Sequence, residues 1–200
     1  MTARLREAPE DTDKFFLWLK KESEKFWKTV SIDDSIFGFQ IQKGTRWIRG
    51  LSEKEISDYE KSLGFPFPEA YKKYLRCMNG TDKETINVYG RSGEPYRYGP
   101  GFYSYPRDLD IIKTRIECNY RDFGTTAEKA EQEDIPHLIP IVSHRFLVAD
   151  RCKANPVISI QGTDSILYSD SLESFLYYHV FEEKRSQPNL SRIKVRFWLR

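Results

Sequence analysis

The chain has 200 residues, 39% apolar and 14% aromatic, with 32 Lys+Arg against 30 Asp+Glu and a formal charge of +2. A chain of this length buries roughly 70% of its unfolded surface, and a disordered chain would not carry so many rings, so a self-sufficient core is expected. The near balance of charge argues against a dedicated nucleic-acid binder, which concentrates a basic excess on one face.

No stretch approaches the ~20 apolar residues of a membrane span. The opening MTARLREAPEDTDK mixes both charge signs and lacks the ~7–15-residue apolar run of a secretory signal. Cys77, Cys118 and Cys152 are odd in number, widely spaced and form no CxxC pair. They read as reduced thiols of a cytoplasmic protein.

In chain order, Asp11-Thr-Asp opens a predicted helix on which Phe15, Phe16, Leu19, Phe26 and Trp27 recur at near-helical spacing. Residues 36–49 alternate around Lys43-Gly44 and read as a strand or short hairpin, with Phe37, Phe39 and Ile41 on one face and Trp47 starting a second strand. Leu51-Ser-Glu-Lys-Glu55-Ile56 is a capping box: Ser52 caps Glu55, Glu55 reaches back to Ser52, and Leu51 and Ile56 form the staple. Ile56, Tyr59 and Leu63 make the buried stripe of that helix, and Gly64 closes it. Pro66 and Pro68 then lead to a second helix bearing Tyr71, Tyr74, Leu75 and Met78, expected to stop at Asn79-Gly80.

Residues 81–106 are rich in Gly, Pro and Tyr and read as a strand at Thr85–Tyr89 followed by an aromatic loop. A helix follows Pro106, with Leu109, Ile112 and Ile116 inward. Residues 122–134 carry five acids against one Lys and read as a solvated connection. Strands are expected at 138–142, 146–148, 156–160 and 165–168, with Gly162-Thr163-Asp164 as the last turn. Asp170-Ser171 caps a final helix. Ile193, Val195, Phe197 and Leu199 alternate with polar residues and suggest an added edge strand. Blocks of helix and strand in this order argue α+β with a mostly antiparallel sheet.

LSEKEISDYEKSLGFPFPEAYKKYLRCMNG (51–80) resembles the N-terminal signature of the SUKH superfamily, whose best-known branch is the Smi/Knr-type cell-wall-synthesis regulators. The residues that carry it are Glu55, Glu60, Leu63-Gly64, Pro68, Tyr71, Leu75 and Asn79-Gly80. Residues 138–176 resemble the C-terminal half of the family, where a Pro-containing strand leads to paired strands and an Asp/Ser-capped helix. The resemblance implies a single α+β domain over residues 35–181, a bent sheet flanked by helices. Residues 1–34 would be an N-terminal helical extension and 182–200 a basic C-terminal tail or edge strand. It also implies no shared catalytic residue set, no cofactor, and a protein partner. Bacterial members would be immunity proteins that neutralise toxins, and eukaryotic ones regulatory scaffolds.

Few residues suggest chemistry. His144-Arg145 lies between two apolar strand pieces, and Asp164 could complete a His–Asp arrangement acting on a phosphorylated ligand. The plainer readings are a satisfied sheet corner or a partner contact. His137, His144 and His179 lack metal-ligand spacing, and Gly90, Gly93, Gly99 and Gly101 form no phosphate-binding motif. The basic tail, with Lys184, Arg185, Arg192, Lys194, Arg196 and Arg200, is a further nucleic-acid or scaffold candidate. Tyr and Trp on loops are favoured interface anchors. The candidate partner-binding set is therefore Trp47, Tyr96, Tyr98, Tyr103, His144, Arg145 and Asp164, with the oligomeric state left open.

Overall fold

The first helix, α1 (Thr12–Trp27), starts where the Asp11 carboxylate accepts the Lys14 N–H at 3.0 Å. In this computed structural model, which describes residues 7–36, 38–88, 97–181 and 193–199, its apolar stripe is sealed into the core. Phe16 meets Tyr74 edge-on at 6.0 Å, and Trp18 stacks on Tyr177 at 6.0 Å. The helix thus contributes to the same core as the rest of the domain. Phe37, Tyr89, Gly90, Gly93, Tyr96, Lys184, Arg185, Arg192 and Arg200 lie outside the described residues.

The segment after α1, expected as a strand or short hairpin, forms two strands that belong to different sheets. Strand β1 (Gly38–Gln40) and strand β2 (Trp47–Arg49) do not pair with each other. The Trp47 N–H donates to Glu24 at 3.1 Å and its indole to Ser23 at 2.7 Å, which draws the second strand onto α1. Phe39 stays 48% exposed rather than facing the core.

Helix α2 (Glu53–Leu63) forms as its capping box predicts, with Ser52 and Glu55 bonded reciprocally and Gly64 left-handed at φ 86°. Helix α3 (Glu69–Cys77) runs straight into strand β3 (Met78–Thr81), which pairs with β2. Asn79-Gly80 therefore lies within a strand rather than ending a helix. The physical reason is packing: Gly80 sits at φ 72°, and a Cβ there would come within 2.6 Å of the Phe102 carbonyl. Strand β4 (Thr85–Val88) lies between β1 and strand β5 (Arg97–Gly99) in a separate three-stranded sheet.

Helix α4 (Leu109–Asp122) follows, with Ile112 fully buried. The acidic stretch after it is more ordered than a solvated connection. Thr126 caps a short helix, α5 (Ala127–Gln132), whose Ala130 is buried. Strands β6 (Leu138–Val142), β7 (Arg145–Val148), β8 (Val157–Gln161) and β9 (Asp164–Ser169) then form an antiparallel sheet in that order. Helix α6 (Leu172–Phe181) begins where Ser171 accepts the Ser174 N–H at 3.2 Å.

The two-residue segment Phe102-Tyr103 joins the sheets. The Phe102 carbonyl accepts from the Thr81 N–H at 3.3 Å, and the Tyr103 N–H donates to the Ile141 carbonyl at 3.1 Å. One bent surface thus runs from β2 through β3 and this bridge to β6 and β9. Ile139, Ile141, Leu147 and Val157 face a core shared with α1, α3 and α6. Leu138, Phe146, Val148, Ile158 and Ile160 face a second core with Tyr120, Phe123, Ala130, Val195 and Trp198. Burial on both faces explains why β6 to β8 read as continuous apolar runs.

Residues 193–199, expected as part of a basic tail or an edge strand, form no strand. They make a turn, and the buried positions are Val195 and Trp198, spaced by three rather than two. The Trp198 indole donates to the Pro136 carbonyl at 2.7 Å, and its ring meets Phe123 at 5.1 Å. A ring that large, with a buried N–H needing an acceptor, overrides the alternating pattern.

Candidate functional site

The turn between β6 and β7 consists of Ser143, at φ 49°, and His144. The His144 carbonyl accepts the Ile160 N–H at 3.0 Å, which pins the turn to β8. Its Nδ1 lies 3.0 Å from the Ser143 hydroxyl. Arg145 opens β7 opposite Ser159, and Ser159 is in turn opposite Ile166 of β9. Its guanidinium donates to the Ser159 hydroxyl and lies over the Tyr168 ring, 4.0 Å from the centroid. A second strand of contacts closes the corner. The Tyr103 hydroxyl donates to the Ser143 carbonyl at 3.2 Å, and Arg115 of α4 lies against the same hydroxyl. His179 of α6 sits between Phe102 at 5.4 Å and Phe175 at 5.3 Å.

The electrostatics follow from this geometry. Partial burial, together with the Arg145 and Arg115 charges, pushes the His144 pKa down to about 4. Burial, with Arg145 and His144 nearby, pushes His179 down to about 4 as well. Both rings are neutral near pH 7. Among the described residues no carboxylate pairs with Arg115 or Arg145. The corner therefore holds two guanidinium groups beside neutral imidazoles: positive donors suited to an anion rather than a proton relay.

The seven candidate residues separate under this arrangement. His144 and Arg145 come together, and Tyr103 joins them through its hydroxyl although its ring is buried. Asp164 is exposed at the start of β9, with no hydrogen bond or ion pair to His144 or Arg145, so the His144–Arg145–Asp164 constellation does not assemble. Trp47 is corrected from a surface anchor to a core residue: it is 5% exposed and packed on Trp27 at 5.2 Å and Phe102 at 4.6 Å. Its indole donor is already satisfied by Ser23, which removes the polar atom an interface would use. Tyr98 is 58% exposed but belongs to β5, in the separate sheet. Tyr96 lies outside the described residues.

Sequence reasoning missed Arg115, Tyr168 and His179. Tyr168 had a usable signal. A tight turn at Gly162-Thr163 sets Ser159 opposite Ile166, and Tyr168 is two residues further along that face. Arg115 and His179 come from helices whose docking no local pattern announces.

A second feature also went unseen. A cavity of about 510 Å³ lies between the end of α2, α4 and α5, lined by Leu63, Phe65, Ile116, Tyr120, Glu131 and His137 among others. His137 stacks on Phe65 at 4.2 Å, with its ring nitrogens 2.7 Å from Asp150 and 2.6 Å from Glu131. Arg151 binds the far oxygen of Glu131 at 2.5 Å and holds that carboxyl below its usual pKa. Both nitrogens and both acids are thus engaged in fastening α5 to the sheet. Among the described residues no group of three or more His, Cys, Asp or Glu is arranged to hold a metal, and no helix is long and apolar enough to cross a membrane.

A comparison with curated proteins gives no match. Residues 50–177, more than half of the chain, match the SMI1 / KNR4 family (SUKH-1). The matched span begins just before the capped helix α2 and ends within α6, taking in the bridging segment, the four-stranded sheet and the His144 corner apart from His179. With the capping box, the left-handed Gly64 and the bent antiparallel sheet all in place across that span, the chain belongs to the SMI1 / KNR4 family (SUKH-1).

Proposed function

We propose that this chain is a non-enzymatic protein-binding domain, that its partner is a toxin domain, and that binding neutralises the toxin. The observation that carries the reading is the Arg145 corner. A guanidinium oriented from two sides, with no carboxylate of the described residues against it, is a ready contact for another molecule. The imidazole beside it is neutral and, among the described residues, has no orienting acid, so these residues do not form the paired groups that acid–base catalysis needs. Family membership supports the same class. Ile166 and Tyr178 leave apolar surface exposed near Tyr168, and aromatic and Arg side chains are the usual anchors of protein interfaces.

The test is a pull-down from the native host with tagged protein, followed by co-expression of the captured toxin domain with and without this chain. Restored growth supports neutralisation. Capture of a partner that is not toxic would move the reading to a regulatory scaffold. Failure to capture or rescue with any toxin encoded nearby would sink it.

A further inference from the structure

We propose that the Arg145 corner seats a carboxylate, an Asp or Glu side chain of the bound protein, against the Arg145 guanidinium, with Arg115 on the Tyr103 side of the corner. The inference rests on the protein-binding reading and names the chemistry of the partner at this site.

The guanidinium is planar and carries five N–H donors in a fixed fork. Here one donor goes to the Ser159 hydroxyl and one face lies on the Tyr168 ring, so the plane of the fork is set before any partner arrives. That preorganisation cuts the rotamer entropy that a free Arg loses on binding. The remaining donors match the two oxygens of a carboxylate. Arg145 is half-buried and Tyr168 is half-buried beneath it, so the pair would form in surroundings drier than open solvent, where charge attraction is stronger. Arg115 adds a second positive charge through its contact with the Tyr103 hydroxyl, which is itself tied to the Ser143 carbonyl. The nearest sequence candidate for an internal partner, Asp164, does not pair with either Arg.

A carboxylate is favoured over a phosphate chain by what surrounds the charge. Ile166 is 53% exposed and Tyr178 37% exposed, an apolar rim of the kind that frames a protein contact. A backbone tracker would need a row of cations along a groove, and the chain as a whole is nearly charge-balanced.

The experiment is an NMR titration of the whole chain, following the Arg Nε–Hε and Tyr168 ring signals. The probes are a capped Gly-Glu repeat peptide, its Gly-Gln twin, inorganic phosphate and a short single-stranded oligonucleotide. The Glu peptide is expected to shift Arg145 and Tyr168 saturably, and the Gln twin is not. Arg145→Lys keeps the charge but loses the fork and should weaken the Glu peptide about tenfold. Arg115→Gln, at an exposed helix position, should weaken it less and leave the fold signals in place. No saturable shift from any probe, equal binding of the Gln twin, or stronger binding of phosphate or oligonucleotide would each overturn the inference. If a native partner is captured and Arg145→Lys binds it as tightly as the parent, this inference fails while the protein-binding reading stands. If the parent captures no partner, that reading fails, and the titration still decides the corner.

Discussion

Asn79 holds the backbone of Tyr105 at both its N–H and its carbonyl. Its Nδ2 donates to the Tyr105 carbonyl at 2.5 Å, and its Oδ1 accepts the Tyr105 N–H at 2.9 Å. This pair of bonds fixes the chain just after the Phe102-Tyr103 bridge, and so the placement of the Tyr103 hydroxyl at the corner. Asn79 is 3% exposed, so a truncated side chain leaves both groups of Tyr105 without a partner. Asn79→Ala should cost about 1–3 kcal/mol in chemical denaturation. Asn79→Asp should cost at least as much above pH 5, because the donor to the carbonyl becomes a second acceptor.

The helical hairpin should respond unequally along its stripe. Leu75 is 1% exposed, whereas Leu63 is only half-buried at the rim of the cavity. Leu75→Ala should cost about 2–5 kcal/mol, and Leu63→Ala should cost less because little new cavity forms there. Thermal melts of the two variants check the order. Equal losses would mean that the assigned inner face is wrong.

Ser52→Ala should cost about 1 kcal/mol through loss of the cap. The same motif sets a pH dependence. Hydrogen bonds from Arg49, then from the Ser52 backbone and hydroxyl, hold the Glu55 pKa down to about 2 from 4.5. A lowered native value stabilises the fold above pH 4.5, and that contribution is lost as pH falls from about 4.5 through about 2. In melting curves taken across this window, Glu55→Gln should show a shallower decline than the parent. Identical slopes would contradict the reciprocal cap.

The His144 imidazole should titrate near pH 4 in the native protein, well below its ordinary 6.5. The unfolded chain takes up that proton first, so its contribution to stability is complete above pH 6.5 and declines as pH falls from about 6.5 to about 4. A titration of its ring signals by NMR checks the value. Arg145→Gln should raise it by a fraction of a unit while leaving it below 6.5, because burial is the larger cause. A His144 midpoint at 6.5 in the parent would show an open, solvated corner.

Trp198→Ala should cost about 3–5 kcal/mol, the range for truncating a large buried ring. The residue is fully buried and its indole is bonded to Pro136. Arg196→Ala, at an exposed neighbouring position, should cost far less. If removing Trp198 leaves the melting temperature unchanged, the C-terminal segment is not part of the second core.

What the sequence determined by itself was whatever depends on a few consecutive residues. Ser52, Glu55 and Gly64 specify both ends of α2 because a cap is made within one turn of chain. The apolar runs of β6 to β8 and the turn residues around Gly162 specify strands, but Asp164, expected in the turn, pairs with Gln161 as the first residue of β9. Tertiary structure alone decided the rest. Trp47 reads in sequence as a strand residue near a sheet edge and Tyr103 as a loop aromatic, yet both rings are interior, because burial is decided by elements far apart in the chain such as α1 and β3. Trp198 turns a strand-like alternation into a packed turn, since a large ring and its N–H find a better site than an edge ladder offers. The corner itself joins Arg115 of α4, His144 of the β6–β7 turn, Arg145 of β7, Tyr168 of β9 and His179 of α6. Its charge balance exists only where those elements meet, because Coulomb and desolvation effects depend on distance in space and not on separation along the chain.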